Sequence, residues 1–441
     1  MIRLNVLLAV VALLFLTVDA KKGFGPGEQD WGHITVRPGA HMFYWLYYTT
    51  ANVKNYTERP LAIWLQGGPG ASSTGYGNFE ELGPLDLELN YRNYTWVKDM
   101  NVLFIDNPVG SGFSYVENTN LLTRTNNEIA LDLVALMKGF YKKHPEFKKV
   151  PLHIFCESYG GKMAPEFALE LYEAIKRGEI ESNLKSVALG DPWTSPMDSV
   201  WAWGPFLLQT AMVDQHGYEE IQAAAADCAN SIKNERWVEA TNKWGATQRV
   251  VMWESHYVDF YNILKKIQGG YNAMNLRNDD LMYRTLVDYD LIGDRKYSLD
   301  ELMKGPVSET LGITKNVRWG SQSSVTFSAL SGDFMKPVYH IVEKLLNSTD
   351  VQVGVFSGQL DLICATSGTV NWIDKMRWNY RNDYLNAPRK AISVNGIIEG
   401  YTKEAGNFSM HWINRAGHMA PADNPAGMSY VLQKYTNFGG M

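Results

Sequence analysis

Three residues with the makings of acyl transfer sit on loops that follow apolar, β-prone runs. The first is Ser158, in Cys156-Glu157-Ser158-Tyr159-Gly160-Gly161, where the apolar run 152–155 ends abruptly and a helical pattern occupies 163–176. A serine in a tight strand-to-helix turn is a nucleophile elbow: its hydroxyl is pushed out at the carboxyl edge of a sheet, and the next backbone N–H is left free for an oxyanion. The usual pattern is G-x-S-x-G. Here Cys156 stands at the first glycine position, where strand and helix approach closely and a small residue is needed. A cysteine nucleophile is the rival reading, but Ser158 holds the elbow position, so Cys156 reads as a buried, small apolar residue. The second residue is Asp361, just past the apolar run 351–356, in Ser357-Gly358-Gln359-Leu360-Asp361. The third is His418, after the β-prone run 408–413, in Ala416-Gly417-His418-Met419-Ala420-Pro421. Of nine histidines it is the one that comes late on a post-strand loop, as a general base at a sheet edge requires. Singly, Asp361 could cap a helix and His418 could be a plain loop residue; the joint pattern is much stronger than its parts.

These side chains need a scaffold, and the rest of the chain supplies one. Runs at 42–50, 61–65, 101–105, 152–155 and 186–190 read as strands, and 128–140 and 163–176 as helices. Strands alternating with helices imply a mostly parallel sheet. The order Ser158, Asp361, His418 is that of α/β-hydrolases. The run 61–65 opens into Gln66-Gly67-Gly68-Pro69-Gly70-Ala71-Ser72-Ser73, which lacks the Lys-Ser/Thr ending of a phosphate loop. It suits an oxyanion hole, which draws one N–H from a loop early in the sheet. From 196 to 325 the rhythm changes to helix-rich, Trp-rich sequence without strand alternation, so this block reads as an insertion or cap within a core of 21–195 and 326–441. Most of its tryptophans are expected to pack in a core, and a few to roof a substrate cleft. A helix is expected over 333–347.

Composition narrows the setting. The 441 residues carry a formal charge of −6 with 45% apolar and 20% charged residues, and no basic stripe, which argues against a nucleic-acid partner. Arg3, an unbroken apolar run over 6–16 and the small residues around Val18-Asp19-Ala20 read as a signal peptide over 1–20. The run is too short to span a bilayer comfortably, and no later stretch is apolar enough to do so. No membrane partner is expected after cleavage. Acceptor sequons at Asn55, Asn93, Asn347 and Asn407 agree with passage through the secretory pathway. Three cysteines, Cys156, Cys228 and Cys364, are few for an oxidising compartment, so the fold should rest on its core. An odd count leaves at least one thiol free or paired with another chain.

The segments 67–73, Glu81-Leu82-Gly83-Pro84, 107–114, 157–161 and 417–421 together resemble the serine carboxypeptidases. The resemblance runs from about Trp31 to the C-terminus. Gln66, where most members have Asn, and Gly332-Asp333-Phe334-Met335-Lys336-Pro337-Val338 make the chain most similar to the retinoid-inducible branch of that family. The resemblance implies an α/β-hydrolase fold and a serine exopeptidase acting on peptide or protein C-termini without a cofactor or metal. Ser158 would be nucleophile, His418 base and then acid, and Asp361 the residue that orients the imidazole. The N–H groups of Gly68 and Tyr159 would form the oxyanion hole. Gln66, Gly67 and Glu157 would hold the substrate's C-terminal carboxylate, with Glu81 supporting Glu157. Ester hydrolysis or acyl transfer by the same triad, and a binding protein on an inactive hydrolase scaffold, are the alternatives. The product would be secreted or lysosomal.

Overall fold

The computed structural model describes residues 22–265 and 297–439. The expected signal peptide and the stretch 266–296 of the expected insertion lie outside the described residues.

The short apolar runs are central strands. Strands β1 (Gln29–Arg37), β2 (Ala40–Tyr47), β3 (Leu61–Leu65), β4 (Asn101–Ile105) and β5 (Tyr115–Val116) come first in the chain. They are followed by β6 (Pro151–Glu157), β7 (Asn183–Gly190), β8 (Gln352–Gly358), β9 (Lys390–Val394), β10 (Ile397–Ala405) and β11 (Phe408–Ile413). They form one sheet in the order β1-β2-β4-β3-β6-β7-β8-β11-β10-β9, with β5 paired to β2. The run from β4 to β11 is parallel. Antiparallel pairs close both ends of the sheet.

Every residue of β3 and β4 is buried, as expected of parallel strands covered on both faces. The side chains nevertheless alternate between two separate cores. Leu61, Ile63, Leu65, Leu103, Ile105, Leu152, Ile154 and Cys156 point to one face. Ala62, Trp64, Val102, Phe104 and Phe155 point to the other. Helices α1 (Asn126–Lys143) and α2 (Gly160–Lys176) pack on the first face; the helix Pro425–Thr436 covers the second. Helix α1 starts where a capping box says it should: Thr125 accepts from the Glu128 N–H, and the Glu128 carboxylate accepts from the Thr125 N–H at 3.2 Å.

Between β7 and β8 the described chain is helical, with α3 (Pro196–Gln209), α4 (Gln215–Lys233) and α5 (Trp237–Glu254). One expectation fails here. The helix read over 333–347 begins only at Tyr339 and runs to Ser348. Pro337 disfavours helical backbone at the residue before it. Asp333 is committed elsewhere: it pairs with the buried Lys162 ammonium of α2 at 2.9 Å. That ion pair clips the 332–338 loop onto the first turn of α2.

Because β3, β4, β6, β7, β8 and β11 are parallel, their C-terminal ends share one edge. Loops leaving this edge carry Gln66, Asp106, Ser158, Asp191, Asp361 and His418. Ligands of open α/β sheets bind at such an edge.

Candidate active site

Ser158 follows β6 directly and has φ +61, a left-handed conformation that is costly for a non-glycine residue. Hydrogen bonds hold it there: its N–H donates to Gly190 (3.0 Å), and its carbonyl accepts from Gly161 (2.8 Å) and Trp193 (2.8 Å). Ser158 is half-buried while its neighbours Glu157 and Tyr159 are fully enclosed. Cys156 fits the first glycine position because position 160 has no side chain. A Cβ on Gly160 would come within 2.7 Å of the Cys156 Cβ and 2.9 Å of the Leu65 carbonyl. Burial pushes the Cys156 thiol far up, so it stays a neutral core group. Cys228 and Cys364 are likewise free and buried.

The glycine loop after β3 is pressed against the elbow. A Cβ on Gly67 would lie 2.4 Å from the Ser158 Cβ and 2.8 Å from the Tyr159 nitrogen. Neither the Gly68 nor the Tyr159 N–H makes a backbone hydrogen bond among the described residues. The loop is fixed from below by the buried Asp106 carboxylate. Asp106 accepts from Ser72 Oγ (2.8 Å), the Thr74 N–H (3.0 Å), Thr74 Oγ1 (2.8 Å) and the Phe113 N–H (2.8 Å). It is fixed from above by the stretch after the helices: Gln322 Nε2 donates to Pro69 (2.7 Å), and Trp319 Nε1 to Ser72 Oγ (3.0 Å). An oxyanion hole needs donors that do not move as charge develops, and this bracing supplies that.

Asp361 and His418 meet because β8 and β11 are parallel neighbours whose loops leave side by side. His418 Nδ1 lies 2.9 Å from Asp361 Oδ2, with both side chains buried. The His418 backbone is pinned by its N–H to the Tyr261 carbonyl at 2.6 Å. Its Nε2 has no hydrogen-bond partner among the described residues and lies 3.9 Å from Glu157 Oε1. The link from Nε2 to the Ser158 hydroxyl is therefore open in this state; such catalytic bonds are often long without substrate and tighten on binding. Burial lowers the His418 pKa, partly offset by Asp191, Glu81 and Asp259. Asp361, Cys364 and His418 also bring one ligand-type atom each within 4.8 Å. Two of the three are already bonded to each other and burial pushes the Cys364 thiol up, so the set reads as an acid–imidazole pair beside a neutral thiol.

Beside Ser158 lies a cluster of acids. Gln66 Nε2 donates to Glu81 Oε1 (3.0 Å) and Glu157 Oε1 (2.9 Å), while Gln66 Oε1 accepts from Trp64 Nε1 (2.7 Å). Gln66 is thus oriented by its own strand, and its amide fork ties two glutamates together. Glu81 comes from the π-helical segment Ser73–Leu82. Burial, and then the adjacent Glu81, push the Glu157 carboxyl well above the usual range; burial also raises Glu81. Both glutamates bond the same Gln66 amide, so ionising both would bury two like charges side by side. The stronger upward push falls on Glu157, by burial and then by Glu81.

The cleft above these groups has an aromatic wall. Tyr159 stacks on Phe334 (5.8 Å between ring centres), which also meets Trp193 (5.3 Å) and Trp244 (4.7 Å). Of the tryptophans in 196–325, Trp244 lines the cleft, Trp203 and Trp319 pack in the interior, and Trp201 and Trp253 are exposed. The four sequons differ in setting. Asn55 and Asn93 are exposed, as is Asn347, whose Nδ2 donates to Arg377 at 3.0 Å. Asn407 is half-buried, and its Nδ2 donates to Leu346 (3.4 Å) and Val351 (3.2 Å).

Comparison with known proteins shows a family and a fold. The pattern of the family described as serine carboxypeptidase matches residues 21–437. The retinoid-inducible serine carboxypeptidase of Mus musculus is 42% identical over 406 residues, covering 90% of this chain and 89% of its own. Serine carboxypeptidase-like 51 of Arabidopsis thaliana is 37% identical, covering 93% and 92%. Among solved structures, a prohormone-processing carboxypeptidase from Saccharomyces cerevisiae superposes with a TM-score of 0.76 at 21% identity, covering 93% of this chain and 91% of that one. At that identity the likeness is one of fold, the α/β-hydrolase fold.

Proposed function

Because the chain belongs to the serine carboxypeptidase family and is a serine-type exopeptidase, we propose that Ser158, His418 and Asp361 remove C-terminal residues from peptides through an acyl-enzyme. The described residues of 196–325, Trp244 and Gln248 among them, serve as the cap over the cleft. His418 Nε2 takes the Ser158 proton as the hydroxyl attacks the last peptide carbonyl. The oxyanion goes to the N–H groups of Gly68 and Tyr159. His418 then gives the proton to the leaving amino acid, and water repeats the sequence to free Ser158. Asp361 keeps Nδ1 protonated and stabilises the imidazolium that forms in each half.

The observation that carries the exopeptidase reading is the acid cluster. A protonated Glu157 within the Gln66–Glu81 network is a neutral donor beside the nucleophile, fit to receive a substrate α-carboxylate. Ester hydrolysis or acyl transfer by the same triad is not favoured, since neither has use for a carboxylate-binding acid. The longer Gln66, in place of Asn, still reaches both glutamates.

The sign of the pH dependence follows. Glu157 has a raised pKa, so it donates at low pH; as pH rises through that value it ionises and repels the substrate. His418 has a lowered pKa, so it stays a base to pH below the ordinary imidazole range. For peptides with free C-termini, kcat/KM should fall on the alkaline side as the acid cluster titrates as a set. C-terminal amides carry no charge to repel and should keep activity to higher pH. Glu157→Gln should flatten the alkaline fall while sparing fluorophosphonate labelling. An alkaline limb shared by acid and amide substrates, or one unmoved in Glu157→Gln, removes the clamp.

Among the described residues no helix is long and apolar enough to cross a membrane. With the apolar run at 6–16, this supports a secretory-pathway product, secreted or lysosomal. Expressed in a eukaryotic cell, it should begin near Lys21. Peptide mapping after deglycosylation should find glycan at the exposed Asn55 and Asn93. Asn407, with its amide turned onto two carbonyls, should be bare. Glycan at Asn407, or an unmodified Asn55 and Asn93, would contradict this reading.

A further inference from the structure

The strand between those carrying Ser158 and Asp361 contributes a side chain too. Asp191 follows the last residue of β7, and β7 lies between β6 and β8. The C-terminal edge therefore presents Ser158, Asp191, Asp361 and His418 from four adjacent strands in that order. Asp191 is completely buried and has φ +40, a second non-glycine residue held in a costly backbone conformation at this edge. Its N–H donates to Phe356 at 2.8 Å, and its Oδ1 accepts from the Gly358 N–H at 2.7 Å. Both contacts grip the end of β8, from which Asp361 departs.

Its other oxygen, Oδ2, meets no amide, hydroxyl or cationic donor among the described residues. The carboxyl nearest to it in charge is that of Asp361, carried by the neighbouring strand β8. Two ionised carboxylates side by side in the interior repel, so the arrangement favours one proton on the pair. The surroundings oppose a second charge. Glu157 faces the pair from the end of β6, Asp259 and Tyr261 from the segment after α5, Cys364 from the turn after Asp361, and His418 from the loop after β11. Burial pushes both carboxyls up, and their mutual interaction raises Asp191 while lowering Asp361. Asp361 also accepts from the Cys364 N–H at 3.2 Å, a donor that favours its charged form.

We propose that Asp191 is a positioning residue of the triad, a neutral carboxylic acid whose O–H donates to Asp361 and holds that carboxylate ionised and aimed at His418 Nδ1. The inference rests on the triad reading above. It assigns Asp191 no contact with substrate; it acts through Asp361 alone.

The test is a pair of variants of the full-length enzyme, read by fluorophosphonate labelling rate and by kcat and KM on a blocked dipeptide. Asp191→Ala removes a hydrogen bond to a charged group, and kcat and labelling rate should fall about 10- to 100-fold with KM within about twofold. Asp191→Asn presents an amide N–H to Asp361 and a carbonyl to Gly358, as the protonated acid does, and should recover most of that loss. If Asp191→Ala does not fold, Asp191→Ser takes its place, because its hydroxyl is too short to bridge to Asp361. An asparagine variant as slow as the alanine or serine variant would show that a charge is needed, and would overturn the proposal. So would an alanine or serine variant as fast as the wild type. Ser158→Ala, labelled in parallel, keeps the two readings apart. Labelling that persists there removes the triad itself, whereas labelling lost there with indifferent Asp191 variants removes only this inference.

Discussion

Ser158→Ala is expected to lower kcat on the order of a million-fold and to abolish uptake of a serine-directed fluorophosphonate. The size follows from how the site is divided. The Gly68 and Tyr159 N–H groups and the acid cluster remain intact, so binding and oxyanion stabilisation persist, but no acyl-enzyme can form. Stability should change little, because Ser158 is held by its backbone bonds to Gly190, Gly161 and Trp193. Its hydroxyl makes no hydrogen bond among the described residues that alanine would break. The measurement is kcat on a blocked dipeptide with labelling and melting temperature alongside. Residual labelling at the wild-type rate would identify another nucleophile, and a folded variant that retained turnover within about a hundredfold would exclude the acyl-enzyme on Ser158.

Asp361→Asn should cost about 10⁴-fold in kcat while KM stays nearly constant. Asp361 Oδ2 lies 2.9 Å from His418 Nδ1, and an ionised carboxylate there favours the tautomer that carries its proton on Nδ1 and leaves Nε2 free as a base. An asparagine that turned its amide nitrogen to the ring would reverse this, placing the proton on Nε2 and leaving no base. Burial of both partners makes the error costly, because a mispaired polar group in the low-dielectric interior goes uncompensated. The variant should still fold, since asparagine can accept from the Cys364 N–H as Asp361 does at 3.2 Å. Labelling rate should fall in parallel with turnover, because both depend on a basic Nε2. Turnover within about tenfold of wild type would show that the imidazole is oriented by something other than Asp361.

Where the strands that build the edge lie could be read locally. The run 61–65 is wholly apolar, opens into the Gln66-Gly67-Gly68 loop and forms β3 with those bounds. The run 101–105 likewise forms β4. The elbow could be found because its signal is concentrated: an abrupt change from β-prone to helical sequence with small residues on both sides of Ser158. Asp361 and His418 could be named because each follows such a strand, and the chain order of the three is distinctive. The hairpin β1–β2 and the antiparallel pairs β9–β10 and β10–β11 carried weaker signals. Residues of β1, β9 and β10 are only partly buried, so their apolar pattern is mixed with polar positions. The helix expected from 333 failed for a different reason. Asp333 is drawn into a long-range pair with Lys162, a contact that no local pattern encodes.

The chain by itself determined which strands would be buried on both faces, where the backbone must turn sharply, and which serine, histidine and aspartate follow those turns. These depend on neighbours within a few residues. Tertiary structure alone decided which way the buried carboxyl pKa values move. Glu157 and Glu81 lie far apart in the chain, as do Asp191 and Asp361, and a carboxyl's pKa depends on what surrounds it in space. Asp191 shows the division most sharply. In sequence it is an acid after Gly190 with no motif around it. Only the parallel order β6-β7-β8-β11 sets it against Asp361, in an interior too apolar and too acidic for both to be charged.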